Sequence, residues 1–217
     1  MIIEGLLTTM GEDGAPHVAA MGPVVDAQLQ HWTLRPFISS TTFRLLRINP
    51  HCVFHVVDDV VPVVESALGL ASSLTFEPHV WQASDEFPSD EFPSEEADSE
   101  ASTNEVAKRQ SHEQTVWTIP SACHWYHLRV SAWDVSQERS QATAQVLEQQ
   151  VLRPFWGWNR AKHAVLEATI LATRLHLVDR GQTDEELARL ELAINKTAGP
   201  RELFAWQLLR DYFVAHI

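Results

Sequence analysis

Two cysteines, Cys52 and Cys123, are all that 217 residues offer, too few for a disulfide framework. Cys52 lies in an apolar strand pattern, where a buried thiol is expected. A reducing cytoplasm is the expected compartment. No run of roughly 18 or more apolar residues exists, so no apolar membrane span is expected. The opening MIIEGLLTTM has no basic leader region and carries Glu4, which argues against a signal peptide. Bases are scarce: 16 Lys and Arg stand against 29 Asp and Glu, a net charge of −13. Nine of the acids, and no base, fall within 84–105; removing those nine from −13 leaves −4 for the rest. Neither part has the basic face that duplex nucleic acid requires.

Several catalytic and metal signatures are missing too. There is no Walker loop, because its Gly and Lys are absent. His124-x-x-His127 fits neither a zincin nor a Cys/His finger, and on a strand these two side chains point to opposite faces. No metal site is expected. The serines lie outside any nucleophile-elbow pattern. Asp58-Asp59, at a strand end, lacks a separately tuned acid–base partner.

What is present reads as strands followed by helices, an α+β order. Residues 2–9 and 16–25 make a hairpin around the turn cluster Gly11–Gly14. Gly22-Pro23 inside the second strand marks a bulge, an edge or a close approach to the backbone. Further strands are expected at 31–37, at 51–57 (buried on both faces), at 75–83, as one or two over 116–136, and at 140–152. Pro62 suits the first turn of a helix reaching about Leu70. The last third is helical: about 159–178, then from the capping-box pattern Thr183–Glu186 to about Thr197, then from Gly199-Pro200 to about Phe213. Residues 84–114 differ in kind. The pentapeptide SDEFP occurs twice in tandem, followed by an acidic, Ser-rich tail. That composition buries too little apolar surface to offset chain entropy, so a disordered insertion is expected. An acidic-aromatic docking motif using Phe87 and Phe92 is the alternative reading. The domain expectation is a barrel over 1–157 and a helical subdomain over 158–217.

Two constellations carry chemistry. Ser39, Ser40, Thr41 and Thr42 stand in a row between Arg35 and Arg44, with Ser40 placed to cap a helix. Unpaired N–H groups, hydroxyls and a positive dipole end make such a turn either a phosphate site or a plain cap. On the helix from 159, Arg160, His163, Glu167 and Arg174 share an arc of roughly 60° at ~100° per residue. This polar stripe borders the small, apolar face. It reads either as surface ion pairs or as one edge of a ligand pocket or subunit contact.

The segments EGLLTT, PHVAAMGPVV, WTLRPFISSTTFRLL, CVFHVVDD and FWGWNRAKHAVLEATILATRL, in that order, resemble the domain-of-unknown-function family numbered 447. Its members look like FMN-binding split β-barrels, related in fold to flavin reductases and pyridoxamine-phosphate oxidases. The resemblance implies an antiparallel split β-barrel with a C-terminal helical subdomain. It also implies a homodimer with FMN in the groove between subunits. The phosphate would sit on Ser39, Ser40, Thr41 and Thr42, aided by Arg35 or Arg44. The flavin ring would lie near Ala20, Met21 and Gly22. Asp59 at the strand end and Asn159, Arg160 and His163 on the helix would frame the site. The family turn Gly-Ser-x-Thr-Tyr-x-Asn-Leu is replaced at Ser39, Phe43 and Leu45, and His55 stands where an Asn is usual. The implied activity is that of a flavin-dependent oxidoreductase of unknown small-molecule substrate. A non-catalytic flavin- or ligand-binding protein and a protein-interaction module are the rivals.

Overall fold

In the computed structural model, which describes residues 1–70, 72–82 and 113–216, the chain's apolar N-terminal run becomes strand β1 (Gly5–Met10). The turn that follows uses Gly14 at φ +80°, a conformation that favours glycine, and returns as β2 (Pro16–Met21). The stretch expected as one strand over 16–25 is two. Pro23 has no N–H for a ladder, and the chain bends at Gly22-Pro23 into β3 (Val24–Val25). β2 pairs with β1, whereas β3 pairs with β4 (His31–Leu34). β4 ends three residues short of the expected boundary, because Pro36 cannot donate; Phe37 makes only an isolated bridge to Arg139.

Helix α1 (Thr41–Ile48) follows the hydroxyl turn and leads into β5 (His51–Val56). Next come α2 (Val61–Leu68), with Pro62 in its first turn and Gly69 in the left-handed conformation as its cap, and β6 (Glu77–Gln82). β7 (Glu113–Thr118), β8 (His124–Asp134) and β9 (Gln141–Val151) complete the strands. Glu113 and Gln114, assigned to the insertion from sequence, are therefore strand residues paired to β6. The expected disordered segment otherwise lies outside the described residues.

Seven strands form one antiparallel sheet in the order β2-β1-β5-β8-β9-β4-β3. Its two edges, β2 and β3, are neighbouring stretches of chain, so the sheet curls round on itself into a split barrel. The N-terminus closes the seam: Ile2 bridges Val24, and the Val25 N–H donates to the Met1 carbonyl at 2.8 Å. Trp32 fills the interior, its ring 5.1 Å from Phe54 and 5.0 Å from Tyr126. β6 and β7 form a separate two-stranded ribbon.

The C-terminal helices are α3 (Arg160–Ala172), α4 (Arg180–Thr197) and α5 (Pro200–His216). α3 stops six residues before the expected end at Val178. The Thr173 hydroxyl takes the Ile170 carbonyl at 2.8 Å, and a 3-10 turn follows at Leu175–Leu177. α4 begins three residues before Thr183, because Asp179 caps it through the Gln182 N–H at 3.0 Å. The small residues Ala161, Ala164 and Ala168 let α3 pack closely on Val61 and Val64 of α2 and on Leu209 of α5. α2 thus joins the helical layer to the barrel.

Candidate functional site

A cleft of about 390 Å³ opens where β2, the Arg35–Thr42 segment, α2 and the C-terminal half of α3 meet. One wall is the hydroxyl turn. Ser40 has extended backbone, and its Oγ accepts from the Phe43 N–H at 3.1 Å, capping α1. Thr42 is buried in the first turn of α1, its hydroxyl 3.2 Å from His17 Nε2. Burial holds the His17 imidazole below its ordinary value, so it is neutral beside that hydroxyl.

Arg35 reaches into the cleft. One of its terminal nitrogens donates to the Gly22 carbonyl at 3.3 Å, while its buried Nε has no partner among the described residues. Ala20, Met21 and Gly22 of β2 line the floor. At Gly22 the far end of the Glu4 side chain takes the space of a side chain: an added Cβ would stand 2.6 Å from its Oε1. The opposite wall comes from Val63 and Ser66 of α2 and from Thr169, Ile170 and Thr173 of α3. Arg139, just before β9, and Arg174, just after α3, complete the lining with Glu4. Desolvation raises the Glu4 carboxyl above its ordinary range, against the lowering pull of Arg35, Arg139 and Arg174.

The residues singled out from sequence fall into two groups. Arg35, Ser40, Thr42, Ala20, Met21 and Gly22 converge on the cleft. The others are engaged elsewhere. Ser39 is exposed, outside the lining. Thr41 and Arg44 face a separate, shallower depression beside the Gly11–Ala15 turn, where Arg44 pairs with Glu12. Asp59 accepts from the Val61 N–H at 3.0 Å and pairs with Arg201 of α5. Asn159 caps α3 through the Ala161 and Lys162 N–H groups and donates to the Thr197 carbonyl at 3.1 Å. Arg160 is exposed at the start of α3, and His163 stacks on Trp158 with ring centres 5.4 Å apart.

The departures from the family turn pattern are absorbed by packing. Leu45 is on the buried face of α1, and Phe43 meets Trp133 edge-on at 5.0 Å. His55 is fully buried, and its Nε2 accepts from the Ile119 N–H at 3.1 Å. Burial pushes that imidazole down to about 3, so it is neutral. None of the three lines the cleft. Sequence reasoning missed Glu4, His17 and Arg139. No local pattern marks them, because each is brought in by strand pairing from a distant part of the chain.

The family model described as "Protein of unknown function (DUF447) N-terminal domain" matches residues 3–153, and the one described as "Protein of unknown function (DUF447)" matches residues 159–211. Among solved structures, an FMN-bound protein from Methanosarcina mazei, described under the same DUF447, is similar at 20% identity with a TM-score of 0.71. The match covers 97% of this chain and 94% of that one. The styrene monooxygenase flavin reductase of Pseudomonas putida S12 is similar at 14% identity and a TM-score of 0.43, over 69% of this chain and 81% of that one. Nitrilotriacetate monooxygenase component B from Mycobacterium thermoresistibile is similar at 11% identity and a TM-score of 0.44, over 68% and 69%. No curated protein matches the chain.

Proposed function

The chain belongs to the DUF447 family. On that premise we propose that it binds FMN in the cleft and acts as a flavin-dependent oxidoreductase on a small molecule. The observation that carries this reading is the convergence of Ser40, Thr42 and Arg35 on the same cleft as the small residues Ala20 and Gly22. The volume of about 390 Å³ lies in the range of cofactor pockets. The solved family member of the same fold is FMN-bound, which supports the choice of flavin.

The residues fit the group. A phosphate at the start of α1 meets two hydroxyls, the positive helix end and the Arg35 guanidinium, whose buried Nε is still free to donate among the described residues. The Ala20–Gly22 stretch lets a flat ring approach the backbone, and Ile170 and Val63 cover the cleft from the helical side. Bound FMN supplies the hydride and electron chemistry. The chain's part is to hold the phosphate, orient the ring and narrow the access of water. The exposed Phe37, Ile38 and Ile2 suit a homodimer contact that would close the flavin groove. A cytoplasmic location completes the proposal; among the described residues no helix is long and apolar enough to cross a membrane.

The test is gentle purification followed by mass spectrometry and visible absorbance. A yellow protein releasing FMN is expected. A colourless protein whose melting temperature does not rise with added FMN would sink the reading. Ser40→Ala with Thr42→Ala is expected to weaken FMN binding by about 2–3 kcal/mol, the scale of hydrogen bonds to a charged group. Unchanged affinity in that variant would place the phosphate elsewhere.

A further inference from the structure

The cleft is electropositive in an otherwise acidic chain. Its charged lining is Glu4, Arg35, Arg139 and Arg174, three cations and one anion, whereas the whole chain carries −13. Arg35 and the start of α1, worth about half a positive charge, face the phosphate proposed above. Arg139, Arg174 and Glu4 remain, with one net positive charge between them.

These two arginines are held from opposite sides. Arg139 belongs to the barrel. Its Nε donates to the Arg35 carbonyl at 3.0 Å, and its guanidinium sits 5.1 Å from the centre of the Phe37 ring. The residues beside it are latched to the same segment: the Ile38 N–H donates to the Glu138 carbonyl at 3.0 Å, and the fully buried Ser140 hydroxyl donates to the Pro36 carbonyl at 2.7 Å. Arg174 belongs to the helical layer, one residue beyond the α3 cap. Its guanidinium makes no hydrogen bond or ion pair among the described residues, and its charge is felt by Glu4 and Arg139 in the cleft. Three cations kept together with a single carboxylate among them repel one another, and such an arrangement is typical of a ligand site.

We propose that Arg139 and Arg174 form a second anion subsite beside the flavin position, and that it takes the carboxylate of a monoanionic substrate. The single net charge left by Arg139, Arg174 and Glu4 matches a carboxylate better than a dianionic phosphate. A guanidinium pins a carboxylate through paired N–H bonds, and Arg139 is already oriented for this by its bond to Arg35 and its seat on Phe37. Substrate held between barrel and helical layer would lie over a ring resting on Ala20–Gly22. The proposal rests on the flavin reading for what lies beneath it.

The experiment titrates the FMN-loaded full chain with benzoate, with uncharged benzamide and with inorganic phosphate, followed by calorimetry and by the visible flavin band. Saturable benzoate binding is expected, with benzamide weaker by about tenfold or more, the scale of one hydrogen bond to a charged group. Arg139→Gln and Arg174→Gln are each expected to weaken benzoate about tenfold and FMN far less, with Arg174→Lys retaining part of the benzoate affinity. Circular dichroism confirms that each variant is folded. Equal binding of benzoate and benzamide overturns the subsite, as does no saturable anion binding. Loss of FMN together with benzoate in folded Arg variants overturns it as well, since the arginines would then hold the flavin phosphate. Phosphate binding tighter than benzoate with the same arginine dependence overturns the carboxylate assignment. A wild-type chain that takes up no FMN overturns the flavin reading and this proposal with it, whereas FMN uptake without anion binding overturns this proposal alone.

Discussion

Gly5 and Gly22 both stand where a neighbour occupies the space of a side chain, but what must give way differs. At Gly5 an added Cβ would collide with the His55 carbonyl and the Phe54 ring, one a strand backbone and the other a fully buried core ring. At Gly22 it would meet only the far end of Glu4. Gly5→Ala is therefore expected to cost about 2–3 kcal/mol, an overpacking penalty, and Gly22→Ala less than about 1 kcal/mol, since Glu4 can swing away. Chemical denaturation of both variants checks the order; equal losses would refute it. The same contrast explains which candidate site residues were legible. Ser40 is itself the cap of α1, and Thr42 stands one residue after the helix start, both local features that a sequence shows. Asp59, Asn159 and Arg44 have equally suggestive types, but Arg201, Thr197 and Glu12 claim them, and only the fold brings those partners near.

At the scale of elements, the β6–β7 ribbon lies against the main sheet through a histidine cluster. His51 Nδ1 and His127 Nε2 are 2.9 Å apart, Trp81 stands edge-on to His127 at 5.4 Å, and His79 pairs with Glu148 at 2.8 Å. Burial holds His51 well below its ordinary value, with Arg129 adding to the effect; burial, then His51 and His79, does the same for His127. His55 on β5 is pushed down to about 3 by burial. All three are neutral when folded and take up protons on unfolding once the pH is below about 6.5. Their stability contribution is therefore intact above about pH 7 and is lost as the pH falls towards the folded values, by up to about 1.4 kcal/mol per pH unit for each imidazole. Urea denaturation at about pH 7.5, 6 and 5 should show this loss in steps; a flat profile would mean that these rings are already charged or exposed. Asp58, held below the carboxylate range by Arg153, acts in a separate window, its contribution present above about 3.8 and lost below it.

At the scale of the molecule, Gln82 and Glu113 are directly paired across the β6–β7 ribbon, so thirty residues of chain leave and return at neighbouring points. Replacing 83–112 by an Asn-Gly turn is expected to leave the melting temperature within about 3 °C, because a short hairpin closes the same ladder. A large loss of stability would show that the segment packs on the fold. Strands in the regions of β6 and β7 were readable from β-branched and aromatic composition, though not their pairing, as were the helical last third, the Ser40 cap and the strand at 140–152, whose alternation outweighed its helix-like composition. These are local matters of period, cap and turn chemistry, and the sequence by itself determined them. The resemblance in sequence order added the barrel. What only the tertiary structure decided is closure and convergence. The bend at Gly22-Pro23 lets one stretch of chain serve both edges of the sheet, and the pairing of β1 with β2 and of β4 with β9 carries Glu4, Arg35 and Arg139 to one cleft. Burial and charge act through space between residues more than a hundred positions apart, and no local spacing encodes that distance.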